Sequence, residues 1–198
     1  MLSYEESLKI LKKTNALQEG HFILSSGLHS QQYIQCAQLL SHPHEAELIS
    51  ASLSDKINKK ISNIDIILSP AVGGIVIGYE VGQQLKVKSI FAERENGKLI
   101  LRRGFSLPKN CNVLIVEDVI TTGKSVLECA DIVYHYKAKL VGYACIIDRT
   151  KEKIFKNHEI ISQIKFDIKT FNKNDLPKEI KNIPALKPGS RSIIKWKK

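Results

Sequence analysis

The chain has 198 residues, of which 43% are hydrophobic and 25% are charged, a composition typical of a folded globular protein with a substantial core. This length suits one α/β domain with a small appendage, and it excludes a fused barrel domain, which alone needs about 250 residues. The net charge is +10, and most of the excess lies in residues 151–198, which hold 12 lysines and one arginine against five acids.

The charge and the cysteines narrow the class of protein further. The C-terminal lysines are scattered, so we interpret them as a solvated surface rather than a nucleic-acid site, although a basic face would attract a polyanionic substrate. The four cysteines form no close pair, which favours free thiols in a reducing cytoplasm over a zinc site. No apolar signal segment is visible at the start, and no run approaches the roughly 18 apolar residues of a membrane span. We expect a cytoplasmic protein with no membrane and no nucleic-acid partner.

The N-terminal part of the chain predicts two helices separated by a less regular segment. Ser3 and Glu6 have the spacing of a capping box, and apolar residues continue at a rough helical period as far as Leu17. The segment 20–30 is rich in glycine and serine, so we expect a loop or a short strand there. Pro43 can open a second helix. Four apolar residues recur in it at helical spacing: Ala46, Ile49, Leu53 and Ile57.

The middle of the chain alternates short apolar strands with a helix. The predicted order is a strand at Ile64–Leu68, a turn at Ser69–Gly74, a buried helix at Ile75–Leu85 and a strand at Val87–Ala92. Asn96-Gly97 then predicts a protruding hairpin, because both central positions of such a turn need positive φ.

The next stretch completes the pattern of a parallel sheet. The predicted order is a strand at Val113–Val116, a loop at Val119–Lys124, a helix at Ser125–Tyr136 and a strand at Leu140–Ile147. Strands that are buried on both faces are continuously apolar, as these two strands are. The alternation predicts an α/β fold with a mostly parallel sheet and helices on both faces. The last 40 residues are weakly patterned, with one candidate strand at Ile164–Ile168.

The strongest candidate site follows the strand at Val113–Val116. Glu117 and Asp118 stand at the strand end, where ligands bind in open α/β sheets, and burial does not explain two adjacent carboxylates. Residues 121–125 then lead through a glycine into a helix, a turn that can offer backbone N–H groups to a phosphate. A sugar phosphate could bind both parts of this segment, with its hydroxyls at the two acids and its phosphate at the turn. A generic acidic turn is the alternative, whereas a P-loop is disfavoured because only residues 123–125 fit its pattern.

This segment resembles the phosphoribosyl pyrophosphate (PRPP) motif of type I phosphoribosyltransferases. The family motif is an apolar run, two acids, two more apolar residues and a loop rich in threonine and glycine. In the family, the acids contact the ribose hydroxyls and the loop holds the 5′-phosphate. The resemblance implies that PRPP contacts Glu117, Asp118, Val119, Ile120, Thr121, Thr122, Gly123, Lys124 and Ser125.

Other segments resemble orotate phosphoribosyltransferases, namely residues 20–36, 91–105, 119–123 and 187–191. This resemblance implies a single domain over residues 1–198 with the type I fold. A small hood from about 1–43 and 165–198 is expected to cover a core of about 44–150. It also implies transfer of ribose 5-phosphate from PRPP to N1 of orotate in pyrimidine biosynthesis, yielding orotidine 5′-monophosphate and pyrophosphate. The implied cofactor is Mg²⁺, held mainly through the substrate and by Asp118 at most through water.

The resemblance assigns a base pocket and a pyrophosphate loop. Orotate is expected to contact Thr121, Arg149, Ser26 and Tyr33. An ion pair with Asp148 is the alternative for Arg149, and many relatives carry a lysine where Ser25 or Ser26 stands. Ala71 and Gly73 belong to a turn that resembles the pyrophosphate loop, with a plain strand–helix connection as the alternative. Two histidines near this pocket, His21 and His29, favour a hydrogen-bonded structural role.

The predicted hairpin is rich in cations: Arg94, Lys98, Arg102 and Arg103. In the family, such cations neutralise the leaving pyrophosphate, so we expect Lys98 and Arg94 to be catalytic with Asp118, and Arg102 to bind PRPP. The family also implies a homodimer in which hairpin residues 93–105 reach the partner's site. The best-known members have a longer loop with a histidine, whereas this hairpin has none and two glutamates flank Arg94. A solvated hairpin face is the alternative.

Two other functions remain open at this point. A purine phosphoribosyltransferase would share the PRPP motif but should lack the arginine contact at 149 and the N-terminal base-pocket segment. A PRPP-sensing regulator that binds nucleic acid is slightly favoured by the basic tail, yet the length leaves little room for a helix-turn-helix appendage. Turnover of orotate, hypoxanthine and adenine separates these functions.

Overall fold

The computed structural model describes residues 1–24, 26–152, 154–155 and 158–188. Its elements in chain order are α1 (Tyr4–Lys13), β1 (Leu17–Ile23), β2 (His29–Ile34), α2 (Cys36–Leu40), α3 (Pro43–Asn58), β3 (Ile66–Pro70), α4 (Gly73–Leu85), β4 (Lys88–Glu95), β5 (Lys98–Leu101), β6 (Asn112–Ile120), α5 (Lys124–His135), β7 (Lys139–Asp148), β8 (Ile160–Lys165), β9 (Thr170–Phe171) and α6 (Lys178–Lys181). Ser25, the part of the expected hood beyond residue 188 and most of the segment 187–191 lie outside the described residues.

A six-stranded sheet in the order β5-β4-β3-β6-β7-β8 forms the centre of the described chain. Neighbouring strands run parallel, except for the antiparallel hairpin of β4 and β5. Helices α3 and α4 pack on one face and α5 packs on the other. This arrangement confirms the predicted α/β fold with a mostly parallel sheet and helices on both faces.

Strand β6 contributes to a separate core on each face of the sheet. Leu114 and Val116 join the cluster beneath α3 and α4, whereas Val113 and Ile115 join the cluster beneath α5. Successive side chains of a strand alternate between faces, so a continuous apolar run is what this central position requires. Truncation of the fully buried Leu114 to alanine should cost roughly 2–5 kcal/mol.

A smaller antiparallel sheet, in the order β1-β2-β9, brings together segments from both ends of the described chain. Leu186 extends it through a bridge to Phe22. Nδ1 of His21 lies 2.7 Å from the backbone oxygen of Ile183, and Nε2 of His21 lies 2.6 Å from Nδ1 of His29. Both histidines are thus hydrogen-bonded inside this sheet, as the sequence favoured. The expected residue limits of core and hood stay predictions.

The first helix is shorter than the apolar period predicts. Its capping box is present, with Ser3 and Glu6 bonding each other's backbone N–H groups at 3.1 and 2.7 Å. The helix nevertheless ends at Lys13, and Asn15 adopts φ +55°, which a right-handed helix cannot continue. Leu17 is buried because it begins β1, so the predicted helical extension to Leu17 is wrong.

Two strands extend further toward the site than predicted. β3 continues to Pro70, and β6 continues to Ile120, so Glu117 and Asp118 lie inside a strand rather than at its tip. The cause is the ladder to β7, which still pairs Ile120 with Asp148. The predicted loop over 119–124 therefore shrinks to 121–123.

The glycine- and serine-rich segment 20–30 forms strand on either side of a short turn, where β1 pairs with β2, which agrees with the expected loop or short strand. A later boundary differs from prediction. The C-terminal strand lies at 160–165 rather than 164–168, because it pairs with β7 from Tyr143 onward. Among the described residues, no helix combines the length and the hydrophobicity that crossing a bilayer would take.

Candidate active site

Two acidic residues of β6 lie at the carboxyl end of the central sheet. Glu117 is only 8% exposed, and Asp118 is half-buried. The backbone N–H of Val119 donates to Oδ1 of Asp118 at 2.8 Å, which orients that carboxylate. Burial raises the pKa of Glu117, and the charge of Asp118 raises it further; burial also raises the pKa of Asp118. Partners such as hydroxyl groups or a cation would relieve the cost of burying two charges.

The start of α4 packs directly against this acid pair. A Cβ atom on Gly73 would lie 2.9 Å from Oδ2 of Asp118, and one on Gly74 would lie 3.1 Å from Oε1 of Glu117. Both positions therefore need glycine for close approach. The Ala71–Val72 peptide is cis, and no side chain caps the first turn of α4. The backbone N–H groups at the start of α4 are therefore available to an anionic ligand. This is the position expected for a pyrophosphate loop.

A cavity of about 60 Å³ opens beside Glu117, between the end of β6 and the start of α5. It is lined by Glu117 and residues 119–126, including the whole predicted cradle 121–125. Gly123 adopts φ +75° at the N-cap of α5, which turns the chain into the helix, and no side chain caps that end. Because roughly 10–15 Å³ suffices for one water molecule, this cavity has room for a compact anion.

Arg149 follows β7. Its backbone N–H donates to the backbone oxygen of Ile120 at 2.9 Å, which holds the residue beside the end of β6. Its Nε atom is buried without a hydrogen-bond partner among the described residues. Burial lowers the pKa of the Arg149 guanidinium, and the nearby Tyr33 and Asp167 oppose that effect. Asp148 does not pair with Arg149, because it accepts from the backbone of Thr150 at 2.8 Å and lies 4.0 Å from Lys165. An unpartnered buried donor of this kind suits an anionic ligand.

Tyr33 links Arg149 to the acid pair. Burial raises the pKa of the Tyr33 phenol, Arg149 opposes that rise and Asp118 reinforces it. The three side chains are therefore close enough, between the two sheets, for their charges to influence one another. Ser26 lies in the exposed turn before β2, where its Oγ accepts from the backbone N–H of Leu28 at 3.4 Å. Thr121 is exposed at the mouth of the cradle.

Most cations of the hairpin are paired with acids of the same chain. Arg103 makes a bidentate contact with Glu93 at 2.8 Å for both atom pairs, and its guanidinium lies 5.7 Å from the centre of the Phe91 ring. The three contacts are Arg103–Glu93, Arg102–Glu95 at 3.5 Å and Arg94–Glu128 at 2.9 Å. The Lys98 side chain is exposed and makes neither a hydrogen bond nor an ion pair with the described part of the chain. Lys98 is thus the cation of this group most available to a ligand.

Three buried cysteines surround the site without taking part in it. Cys36, Cys129 and Cys145 are free thiols, which confirms the expected state, and burial raises the pKa of each. A thiol whose pKa is raised is a poor nucleophile at neutral pH. They serve as small apolar core residues.

Two residues near the site could not be identified from the sequence. Glu128 pairs with Arg94, and Asp167 influences Arg149, but each contact joins elements that are distant in the chain. A capping or hairpin pattern is local, so it could not have pointed to either contact.

Comparison with known proteins identifies the family to which the chain is similar. The profile of the phosphoribosyl transferase domain matches residues 35–175. The orotate phosphoribosyltransferase of Caldicellulosiruptor saccharolyticus is 42% identical over 192 residues, which cover 97% of this chain and 100% of that protein. The protein of the same name from Caldicellulosiruptor bescii is 44% identical over 184 residues, covering 93% and 96%. The crystal structure of orotate phosphoribosyltransferase from Aeropyrum pernix is similar in fold, with a TM-score of 0.67 at 22% identity over 80% of this chain and 92% of that chain.

Proposed function

The chain belongs to the phosphoribosyltransferase family, among the orotate phosphoribosyltransferases, and on that premise we propose that it transfers ribose 5-phosphate from PRPP to N1 of orotate. The products are orotidine 5′-monophosphate and pyrophosphate, as pyrimidine biosynthesis requires. One observation carries the proposal for the site: Glu117 lines the same small cavity as the cradle 121–125. A sugar phosphate presents hydroxyls and a phosphate at this spacing.

The acid pair and the cradle bind PRPP in this proposal. Glu117 and Asp118 hydrogen-bond the ribose hydroxyls, and the backbone of the cradle surrounds the 5′-phosphate, with Val119, Ile120 and the side chains of Thr121, Thr122, Lys124 and Ser125 around it. The left-handed Gly123 and the uncapped start of α5 support this role, because free N–H groups and a helix N-terminus favour an anion.

Orotate binds next to the ribose, between the two sheets. Arg149 grips its carboxylate or imide oxygens, and Tyr33, Thr121 and Ser26 complete the pocket. The unpartnered Nε of Arg149 supports this assignment, since a half-buried guanidinium without a carboxylate partner suits an anionic substrate. The purine alternative gives this buried cation nothing to bind.

The pyrophosphate leaves on the other side of the acid pair. Ala71 and Gly73 offer backbone at the start of α4, and Lys98, Arg94 and Arg102 supply positive charge. C1 loses its bond to the pyrophosphate oxygen and gains a bond to N1 of orotate, and N1 releases its proton to the leaving pyrophosphate. Positive charge develops on the ribose ring as these bonds change. Asp118 stabilises that charge and positions the ribose, so the reaction needs no covalent nucleophile.

The donor set fits Mg²⁺ as a cofactor that is bound mainly by substrate. Mg²⁺ prefers hard oxygen ligands and often takes few of them from protein. The described residues contain no group of three or more side chains able to hold a metal, and Asp118 would meet the ion at most through water. When bound, Mg²⁺ neutralises charge on the pyrophosphate group.

We also place the enzyme in the cytoplasm as a homodimer, in which the hairpin 93–105 reaches the partner's site through its tip at Lys98. The start of α4 supports a partner surface, because Val72, Val76 and Tyr79 are 82%, 44% and 63% exposed. These residues share one helix face beside the acid pair, and exposed apolar patches mark interaction sites. Light scattering should give twice the chain mass, and Tyr79→Asp should give a monomer.

The experiment that tests the function measures the loss of orotate absorbance with purified protein, PRPP and Mg²⁺. Hypoxanthine and adenine are offered in parallel reactions. Consumption of orotate alone supports the proposal. Consumption of a purine, or tight binding of nucleic acid without any turnover, overturns it.

A further inference from the structure

An ion pair connects the hairpin to the helix that follows the phosphate cradle. Oε2 of Glu128 on α5 lies 2.9 Å from Nη1 of Arg94 on β4, an ion pair that lacks the geometry of a hydrogen bond. The two side chains are only 24% and 42% exposed, so water screens this pair less than a fully exposed one. Glu128 has no part in the proposed reaction as described so far.

Strand pairing gives the location of Arg94 relative to the acid pair. Leu68 of β3 lies opposite both Ile90 on β4 and Ile115 on β6. Four residues further along each parallel strand, Arg94 is therefore level with Val119. Neighbouring strands lie about 4.8 Å apart, so the two backbones are about 10 Å from each other, just beyond the end of β3 at Pro70. Arg94 thus lies beside the cleft where the pyrophosphate loop begins.

The side-chain contacts of Arg94 are all made by one atom of its guanidinium group, Nη1. Nη1 donates to the backbone oxygen of Gly97 at 2.5 Å, and the same atom approaches Glu128. Nε and Nη2 have no hydrogen-bond partner among the residues that the structure describes. The Nε–Nη2 edge is one of the forks through which arginine binds two phosphate oxygens at once. The pair with Glu128 leaves this fork open.

We propose that Glu128 is a positioning residue for phosphoribosyl transfer, because the charge of its carboxylate attracts Nη1 of Arg94 and leaves the Nε–Nη2 edge free to bind the pyrophosphate group. This inference rests on the proposed function, which supplies the group that the fork binds. A free arginine side chain loses rotamer freedom when it binds a ligand. Fixing it beforehand removes part of that cost from the binding step.

Asp131 provides a matched control on the same helix. It lines the same groove between α5 and the hairpin as Glu128 does. It is exposed, and the described residues give it no ion pair or hydrogen bond. Asp131→Asn therefore removes one acid from this surface without touching Arg94.

The test compares wild type, Glu128→Gln, Asp131→Asn, Arg94→Ala and the double variant Glu128→Gln/Arg94→Ala. Initial rates are measured against PRPP and orotate, and against pyrophosphate in the reverse reaction. Glu128→Gln should raise KM for PRPP and for pyrophosphate by about 2- to 5-fold. KM for orotate and Tm should not change, and Asp131→Asn should behave as wild type. The double variant should match Arg94→Ala, because Glu128 acts only through Arg94.

Three results would overturn the inference. One is wild-type kinetics in Glu128→Gln. Another is a lower Tm in that variant with PRPP and orotate constants changed equally. The third is an effect of Glu128→Gln that persists in full when Arg94 is alanine. Wild type that consumes no orotate overturns the proposed function instead, and that measurement comes before any variant.

Discussion

A methyl group on the Cα of Gly73 would lie 2.9 Å from Oδ2 of Asp118, closer than real side-chain carbons approach a neighbour. The loop before α4 and the acid at the end of β6 therefore form one unit, although they lie on different elements. In the proposed reaction they contact the two groups that separate, the pyrophosphate and the ribose.

Gly73→Ala should impair turnover much more than stability. The added methyl group would displace the Asp118 carboxylate or the start of α4, and a misplacement of about 1 Å can cost on the order of 100-fold in rate. Steady-state kinetics for kcat/KM with PRPP and thermal unfolding measure the two effects separately.

Gly142→Ala is the matched control for that substitution. Its new Cβ would lie 2.8 Å from Cδ1 of Ile61, an equally close contact at the other end of β7. Its effect should fall on Tm alone. Equal kinetic losses in the two variants would contradict a specific role for Gly73.

Glu117→Gln should change how stability depends on pH. Burial raises the pKa of Glu117 in the folded protein from its ordinary value of 4.5. Between that value and the raised one, the folded state binds more protons than the unfolded state, so the free energy of unfolding falls as pH rises. The variant should therefore be more stable than wild type near about pH 8, on the order of 1–4 kcal/mol, and lose this advantage near about pH 5.

Urea unfolding of the ligand-free protein at several pH values measures this difference. Glu47→Gln is the control, because Glu47 is exposed on α3 and should show no such crossover. If the free energy of unfolding changed with pH in the same way for wild type and Glu117→Gln, burial of the Glu117 carboxylate would carry no energetic cost.

Arg149→Met should weaken orotate binding and stabilise the protein. The loss of a charged hydrogen bond should raise KM for orotate by about 10- to 100-fold, with KM for PRPP little changed. The buried, unpartnered Nε disappears at the same time, which should add about 1 kcal/mol to the free energy of unfolding. Lys165 lines one groove with Arg149, so Lys165→Met removes a nearby exposed cation and should change neither quantity. An unaltered orotate KM in Arg149→Met would remove Arg149 from the base pocket.

The acid pair and the cradle could be predicted from the sequence because they are local. Glu117, Asp118 and residues 121–125 follow one another directly, and the apolar run before them predicts the strand that carries them. The length of that strand could not be predicted. Its apolar pattern ends at Val116, whereas hydrogen bonding to β7 continues to Ile120. Polar side chains are tolerated in this last part because they face a cleft rather than a core.

Contacts between distant elements could not be predicted from the sequence either. The packing of Gly73 on Asp118 and the ion pair of Arg94 with Glu128 each depend on how separate strands and helices are arranged. The hairpin itself was predicted from Asn96-Gly97, but the different partners of its cations could not be predicted. Arg103 packs on Phe91 and pairs with Glu93, whereas Lys98 remains without a partner among the described residues.

The central claim is that the two carboxylates of β6 bind the ribose of PRPP beside the phosphate cradle. Measuring PRPP-dependent orotate consumption by Asp118→Asn, together with its unfolding, tests that claim most directly. The account predicts a loss of at least about 100-fold in kcat with no loss of stability. Turnover at the wild-type rate in this variant would contradict it.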